Sequence, residues 1–368
     1  MKRRVLMVGR TRHRLPLTAS LARKFDALSE RLELRQLATG TGSDPRFDLH
    51  RPLPVPSLDG VAFYLLLPVR IAKELKAFRP DAILAQSPFE ATAAYAGRLL
   101  ARRRVPVVVE LHGDPATFAR LYGSPLRKLL APALDRLAAW AIRRADGVRT
   151  LSPFTTELAQ RQGVEPLATF TTFTDLSAFA DPPVEPLPER PAAVFVGVLE
   201  RYKNLDGIVA AWRLAAPQVP GARLLLVGDG RLPELVEALV ADLPEQTEWV
   251  RSLPTPEVVR ALDDAWALVL PSRSEGTPRV ILETLCRGRA VIGGRVGGIP
   301  DAVHDGANGF LVDPHDVEGI AAALVRILSD RELAERLGAQ ALADSIPWRY
   351  TAAEYADNVA ALVERVAR

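Results

Sequence analysis

A chain of 368 residues, 48% apolar and 25% charged, has the make-up of a globular protein and the length for two buried cores. Its charge is unevenly divided: residues 1–180 carry 28 Lys and Arg against 16 Asp and Glu, and residues 181–368 carry 19 against 28, so the first half suits something anionic, a membrane surface or a charged acceptor. No nucleic acid is expected, since no recognition motif accompanies that charge; the lone Cys286 excludes an internal disulfide, and no run approaches a membrane span or a secretory leader, which points to the cytoplasm with at most peripheral attachment.

Arg4-Val-Leu-Met-Val-Gly9 reads as a first buried strand, and residues 18–28 follow with helical spacing, as at the start of a Rossmann-like domain. The stretch Gly9-Arg-Thr-Arg-His-Arg-Leu-Pro16 between them is expected as a basic loop, either solvated or touching an acceptor phosphate. Residues 32–37 alternate like a second strand, and 40–60, with four prolines, are expected to form a connection rather than an element. Val61-Ala-Phe-Tyr-Leu-Leu-Leu-Pro68 leads into a helix ending near Phe78; it is either core or a lipid-facing surface beside Arg70, Lys73 and Lys76. A further strand at 79–87 and a helix at 90–103 precede the β-branched strand that ends at His112-Gly113. Ligands of open α/β sheets gather outside such strand ends, so His112 is a candidate site residue. A helix over 128–144 and a strand over 145–152 follow, with Ser152 as N-cap ahead of Pro153. Residues 181–191 hold five prolines and read as an interdomain linker.

Ala192 opens a second strand–loop–helix unit, with Gly197 at its tight turn and Arg201 and Lys203 on a polar loop. An independent first strand means a second domain. Residues 223–230 give a strand and a flexible turn at Gly228, and 249–254 give a short strand and turn that include Arg251. The apolar run Trp266-Ala-Leu-Val-Leu270 then reads as a buried parallel strand, with Gly276 and Pro278 in the turn and a helix from Arg279. Backbone N–H groups of that first turn, among Gly276, Thr277, Arg279 and Val280 around Pro278, point outward, and the helix dipole adds positive charge, so a phosphate is well received. Glu275 and Glu283 flank this anion site. Two carboxylates there cannot hold the anion; they suit hydroxyl donors, such as those of a sugar and a ribose. The loop asks for a sugar nucleotide. Residues 306–314 look hairpin-like, helices are expected over 316–329 and 330–344, and a last helix runs to the C-terminus. The five histidines show no i, i+4 pairing and no Asp-x-Asp is present, so no metal site is expected.

The eight-residue spacing of Glu275 and Glu283 within Ser274-Glu-Gly-Thr-Pro-Arg-Val-Ile-Leu-Glu283 resembles the paired glutamates of retaining GT-B glycosyltransferases of the family-4 type, which read S-E-G-x5-L-E there. The resemblance implies an α/β fold of two Rossmann-like domains facing across a cleft: residues 1–180, joined by a C-terminal helix at 349–368 that crosses back, and residues 192–348. It implies that Glu275 holds donor-sugar hydroxyls and Glu283 the ribose, that Lys203 neutralises the donor diphosphate, that His112 lines the sugar pocket, and that Gly197, Gly228 and Arg251 border the nucleotide. Gly9, Arg10 and His13 stand where the family has its acceptor loop. Four departures are visible: Val198 replaces the family arginine, with Arg201 nearby as a substitute; Thr172-Phe-Thr174 stands in place of Asn-Gly-Val; Asp301 replaces a Glu; and of the glycine-rich first loop only Gly9 remains. The implied activity is metal-independent transfer, without a cofactor, of a hexose-type sugar from a UDP- or GDP-linked donor to a glycan, lipid-linked or small-molecule hydroxyl. A nucleotide-sugar epimerase or hydrolase and a silent partner subunit are the alternatives.

Overall fold

Strands buried on both faces should be short continuous apolar runs, as Ala82–Ala85, Ala192–Val196 and Ala267–Leu270 are. The computed structural model describes residues 2–53, 56–116 and 125–367. It divides into a first unit, Met1–Thr174 with Tyr350–Arg368, and a second, Asp175–Arg349.

In the first unit the strands are β1 (Arg4–Arg14), β2 (Glu33–Thr41), β3 (Phe47–His50), β4 (Ala82–Ala85), β5 (Val107–Leu111), β6 (Gly147–Thr150) and β7 (Ala168–Thr169). They form one parallel sheet in the order β3-β2-β1-β4-β5-β6-β7. Period-two alternation splits β1 between two cores. Leu6 and Val8 join Phe63, Leu67 and Ile71 of helix α2 (Pro56–Ala77), while Val5 and Met7 join Phe25 and Leu28 of α1 (Ala19–Arg31). Helices α3 (Pro88–Ala101), α4 (Pro125–Arg143) and α5 (Pro153–Arg161) continue the chain, α5 opening on a Ser152/Thr155 capping box with Pro153 at its first turn, as expected. The C-terminal helix, residues 352–366, packs on α1 and buries Tyr355, Val359 and Val363 in the second of these cores, so the tail does return to the first unit.

Three expectations are corrected here. Residues 10–14 are not a loop: β1 runs on to Arg14 through a register shift after Val8 and pairs Arg12, His13 and Arg14 with Thr39, Gly40 and Thr41. Backbone pairing does not need the apolar alternation that the arginines lack. The proline-rich 40–60 region contains β3 and the start of α2, because Phe47 packs against Phe25 at 4.8 Å between ring centroids and β3 takes the outer edge of the sheet. Residues 61–68 lie inside α2 with Pro68, with Phe63 and Leu67 in the core but Val61 and Leu65 54% and 73% exposed.

The second unit holds β8 (Ala192–Val196), β9 (Arg223–Val227), β10 (Thr247–Val250), β11 (Ala267–Leu270), β12 (Ala290–Gly294) and β13 (Gly309–Val312), all parallel, in the order β10-β9-β8-β11-β12-β13. Residues 306–314 are therefore no hairpin, since β13 lies parallel to β12. The helices are α6 (Ser177–Ala180), α7 (Leu205–Ala215), α8 (Pro233–Asp242), α9 (Thr255–Asp263), α10 (Arg279–Cys286), α11 (Val317–Ser329) and α12 (Arg331–Asp344), with the C-terminal helix as α13 (Ala352–Val366).

Residues 181–191 are not a free linker. Proline has no N–H, so such a segment shows carbonyls that need outside donors. Arg287, 1% exposed, donates to the carbonyls of Phe179, Pro182 and Pro183 and pairs with Asp263 at 2.7 Å. Arg289 donates to Glu185, Pro186 and Asp263 carbonyls, and Arg331 and Trp266 take those of Leu187 and Pro188. Replacing Arg287 with Ala strands a buried carboxylate and three carbonyls, and should lower stability by about 3–5 kcal/mol. Urea unfolding measures it; a loss below about 1 kcal/mol would show that the clamp is dispensable.

Candidate active site

Both sheets reverse their winding between the first and fourth strands, and at that reversal the loops leaving two neighbouring strands turn to opposite faces and leave a crevice. In the second unit those strands are β8 and β11. After β8 the chain makes one 3-10 turn, Arg201–Lys203, and then Asn204 in the left-handed region at φ 59°. Asn204 is fully buried, and its amide donates to the carbonyls of Pro271 at 3.0 Å and Pro314 at 2.6 Å, tying together the loops that leave β8, β11 and β13. The β11 loop is laced to the β8 loop: the Arg273 N–H donates to the Tyr202 carbonyl at 2.7 Å, and its guanidinium reaches the Arg201 carbonyl and the Asp206 carboxylate. The lacing delivers Lys203 Nζ to Glu275 Oε1 at 2.6 Å, both side chains about nine-tenths buried.

Gly297, at φ 56°, backs this loop; a Cβ there would lie 1.8 Å from the Glu275 carbonyl oxygen, so only glycine allows the approach. The same holds for Gly228, at φ 150°, against the Gly197 carbonyl oxygen. Gly276, Thr277 and Pro278 lead into α10, whose start no side chain caps. Val280 and Glu283 are buried on that helix. Burial pushes the Glu283 carboxyl up from its ordinary value, and Arg279, whose Nε lies 2.5 Å from Glu283 Oε1, opposes it. Arg251 pairs with Asp229, next to Gly228, and with Glu237, and lies over the Trp249 ring. Arg201 and Val198 are exposed.

In the first unit the reversal falls between β1 and β4. Ser87 caps α3, accepting from the Phe89 N–H, and its hydroxyl bonds Glu90, whose other oxygen accepts from Tyr64 Oη at 2.9 Å. Glu90 is 3% exposed. Gly9 lies in β1 beside the Gln86 side chain, and Arg10 pairs with Asp59 at 3.0 Å. His13 is buried edge-on against Phe25 and Phe47, and burial, with Lys24 nearby, lowers its pKa, which favours neutral imidazole. His112 stands just past β5 with Nε2 3.4 Å from Glu110 Oε2. Glu110 is buried and paired with Arg149, which is fully buried, donates to the Phe170 and Thr171 carbonyls and stacks 4.0 Å from the Phe170 ring. Burial alone would raise the Glu110 pKa; the Arg149 and His112 charges outweigh it and hold it at about 2.

A family model described as glycosyl transferases group 1 matches residues 179–344, and one described as a glycosyl transferase 4-like domain matches residues 8–170. The chain is built of glycosyl transferase family domains, 4-like in residues 8–170 and group 1 in residues 179–344. Among relatives of this glycosyl transferase chain, sulfoquinovosyl transferase SQD2 of Arabidopsis thaliana is 27% identical over 322 residues, which are 82% of this chain and 60% of that protein. Glycogen synthase of Mycobacterium tuberculosis is 26% identical over 285 residues, 75% of this chain and 68% of that one, and D-inositol 3-phosphate glycosyltransferase of Streptomyces griseus is 44% identical over 178 residues, 45% and 38%. In fold the chain is similar to sucrose-phosphate synthase of Thermosynechococcus elongatus, with a TM-score of 0.75, 19% identity and 99% of both chains covered. It is similar also to Anabaena HepE in complex with UDP-glucose, with a TM-score of 0.70, 16% identity and coverage of 98% and 99%.

Of the residues singled out from sequence in this glycosyl transferase chain, the structure joins Lys203 to Glu275 and Arg279 to Glu283, and sets Arg10 and His112 around one cavity of about 350 Å³. Asn204, Arg273, Glu90 and the Glu110–Arg149 pair were not anticipated. Ser87-Pro-Phe-Glu90 carried a readable signal, the S-x-x-E pattern of a helix start; Glu110 and Arg149 sit inside apolar strands and carried none. Folded Glu110 stays ionised to about pH 2, against 4.5 for a free glutamate, so its contribution is complete above pH 4.5 and is lost as pH falls through that window. Over it, wild-type stability should fall with acid more steeply than that of Glu110→Gln, by roughly 1.4 kcal/mol per pH unit. Equal slopes in denaturant titrations at several pH values would contradict the pairing.

Proposed function

We propose that the protein is a retaining glycosyltransferase that carries a hexose-type sugar from a UDP- or GDP-linked donor, bound in the second unit, to a hydroxyl of a glycan, lipid-linked or small-molecule acceptor read by the first. The observation that carries the reading is the Lys203–Glu275 pair at the β8/β11 reversal. A nucleotide sugar has its anionic diphosphate and its hydroxylated sugar joined at one bond, and this pair presents one cation for the first and one carboxylate for the second, 2.6 Å apart. Family membership and the uncapped start of α10 beside Gly276 support it.

In the proposed reaction the bond from sugar C1 to the diphosphate oxygen breaks, its electron pair staying with the diphosphate. The acceptor oxygen attacks C1 from the same face and passes its proton to the departing diphosphate. Lys203, with Arg201 as a second cation, and the N–H groups of Thr277, Arg279 and Val280 stabilise the leaving charge. Glu275 holds sugar hydroxyls, Glu283 the ribose and His112 the sugar; Gly197, Gly228 and Arg251 border the nucleotide, and Gly9, Arg10 and His13 border the acceptor. Among the described residues no group of three or more His, Cys, Asp or Glu is placed to hold a metal ion, and the cationic loop is proposed to stand where a metal would otherwise act. None of the described helices is long and apolar enough to cross a membrane; exposed Arg12, Arg14, Lys73 and Lys76 favour peripheral contact with an anionic surface.

Replacing Glu283 or Lys203 with Ala should cost roughly 10- to 100-fold in transfer, the worth of one charged hydrogen bond, with circular dichroism unchanged. Near-normal turnover of Glu283→Ala with UDP- and GDP-sugars would sink the assignment. Transfer should also persist in EDTA; loss there with recovery on adding manganese or magnesium would refute metal independence.

A further inference from the structure

The first unit holds a second cavity, of about 500 Å³, that the donor chemistry does not use. It lies along α2 and α3 and is lined by Val61, Leu65, Pro68, Ala93, Ala96 and Leu137. Both cavity volumes fall in the range of small-molecule sites, about 300–1,000 Å³. The apolar lining is not needed by the fold. Helix α2 already buries Phe63, Leu67, Ile71 and Leu75 at four-residue spacing, and Val61 and Leu65 repeat that spacing on a neighbouring stripe that stays exposed.

This apolar cavity adjoins the polar one at the β1/β4 reversal, for Arg10, Tyr64 and Phe89 line both. The polar end displays Gln86, Ser87, Glu90 and His112. Glu90 accepts one bond from Tyr64 and one from Ser87, which fixes the carboxylate and leaves lone pairs on both oxygens. Fixed acceptors with a neighbouring imidazole suit hydroxyl groups, while the mainly apolar space beyond them suits a hydrocarbon chain.

We propose that the acceptor is an amphiphile: its hydroxylated head sits among Gln86, Ser87, Glu90 and His112, and its apolar arm runs past Tyr64 and Phe89 into the groove between α2 and α3. The inference rests on the first unit being the acceptor-binding part. It narrows the acceptor to molecules in which a hydroxylated group is joined to a hydrocarbon chain. A free sugar or polyol would leave the groove to water. Affinity then grows with the chain, about fourfold for each methylene fully buried.

The test uses the full chain and two glycosides of one head group, methyl β-D-glucopyranoside and n-octyl β-D-glucopyranoside, the latter below its micelle concentration, titrated calorimetrically. The octyl compound should bind at least about tenfold more tightly. Leu65→Asp and Val61→Asp, on exposed positions, should remove that advantage without changing the methyl compound, and Glu90→Gln should weaken both. Equal affinities for the two glycosides, or an octyl advantage that survives both Asp substitutions, would overturn the site. So would binding to phosphatidylglycerol vesicles without octyl glucoside binding, which would make the stripe a membrane contact. Thermal shifts with UDP- and GDP-linked hexoses on the same proteins test the donor reading separately: their absence with the octyl advantage intact strikes that reading alone.

Discussion

The reversal of strand order fixes where chemistry can happen in this protein. In a parallel sheet every strand ends at the same edge, but only between β1 and β4, and between β8 and β11, do adjacent loops leave toward opposite faces and open a space floored by backbone. The paired charges Lys203 and Glu275 stand at one of these places, and Ser87 and Glu90 at the other. Ser87 and Glu90 meet through a local helix start, whereas Lys203 and Glu275 are 72 positions apart and meet because β8 and β11 are hydrogen-bonded neighbours.

A crevice is useful only if its loops hold still, and the two units do this with buried polar groups rather than apolar packing. Asn204 reaches two carbonyls of other loops, Arg273 laces its own loop to the preceding one, and Arg149 satisfies Glu110 and two carbonyls at once. Guanidinium has five donors in a rigid plane, which is why it can serve several acceptors that a proline-rich or turning segment leaves unpaired. Arg287 and Arg289 repeat the device under residues 181–191. Desolvating each arginine is costly, so every one of these clamps works only with its acceptors in place.

The fold was legible from the strand runs and helix starts because burial on both faces makes parallel strands continuous in sequence. That signal fails at edges and where polar side chains line the crevice, and the errors fall there. β3, only four residues long at the edge, hid among prolines, and the end of β1 hid among arginines whose strand pairing is purely backbone. In the site, Glu275, Glu283 and Lys203 announced themselves by spacing within one loop and one strand–loop–helix step. Glu90 belongs to a Ser87-Pro-Phe-Glu90 helix start, and that pattern marks a cap without saying that the carboxylate lines a cavity. Glu110 follows three valines in β5 and Arg149 follows one in β6, and no local pattern distinguishes a buried ion pair from a strand's solvent face.

The pairing of Lys203 with Glu275 bears on selectivity under the proposed assignment. Each group is about nine-tenths buried and satisfied by the other, so neither welcomes a ligand that serves only one of them. A diphosphate drawn to Lys203 pulls it from Glu275 and leaves a nearly buried carboxylate without its cation, while a free sugar on Glu275 does the same to the ammonium. Leaving either charge unpaired costs more than the bond that replaces it returns. Only a molecule with anion and hydroxyls joined at the right place exchanges partner for partner. The ion pair thus acts as a filter for the intact nucleotide sugar, and once the sugar has been transferred, the same pair re-forms as the diphosphate departs.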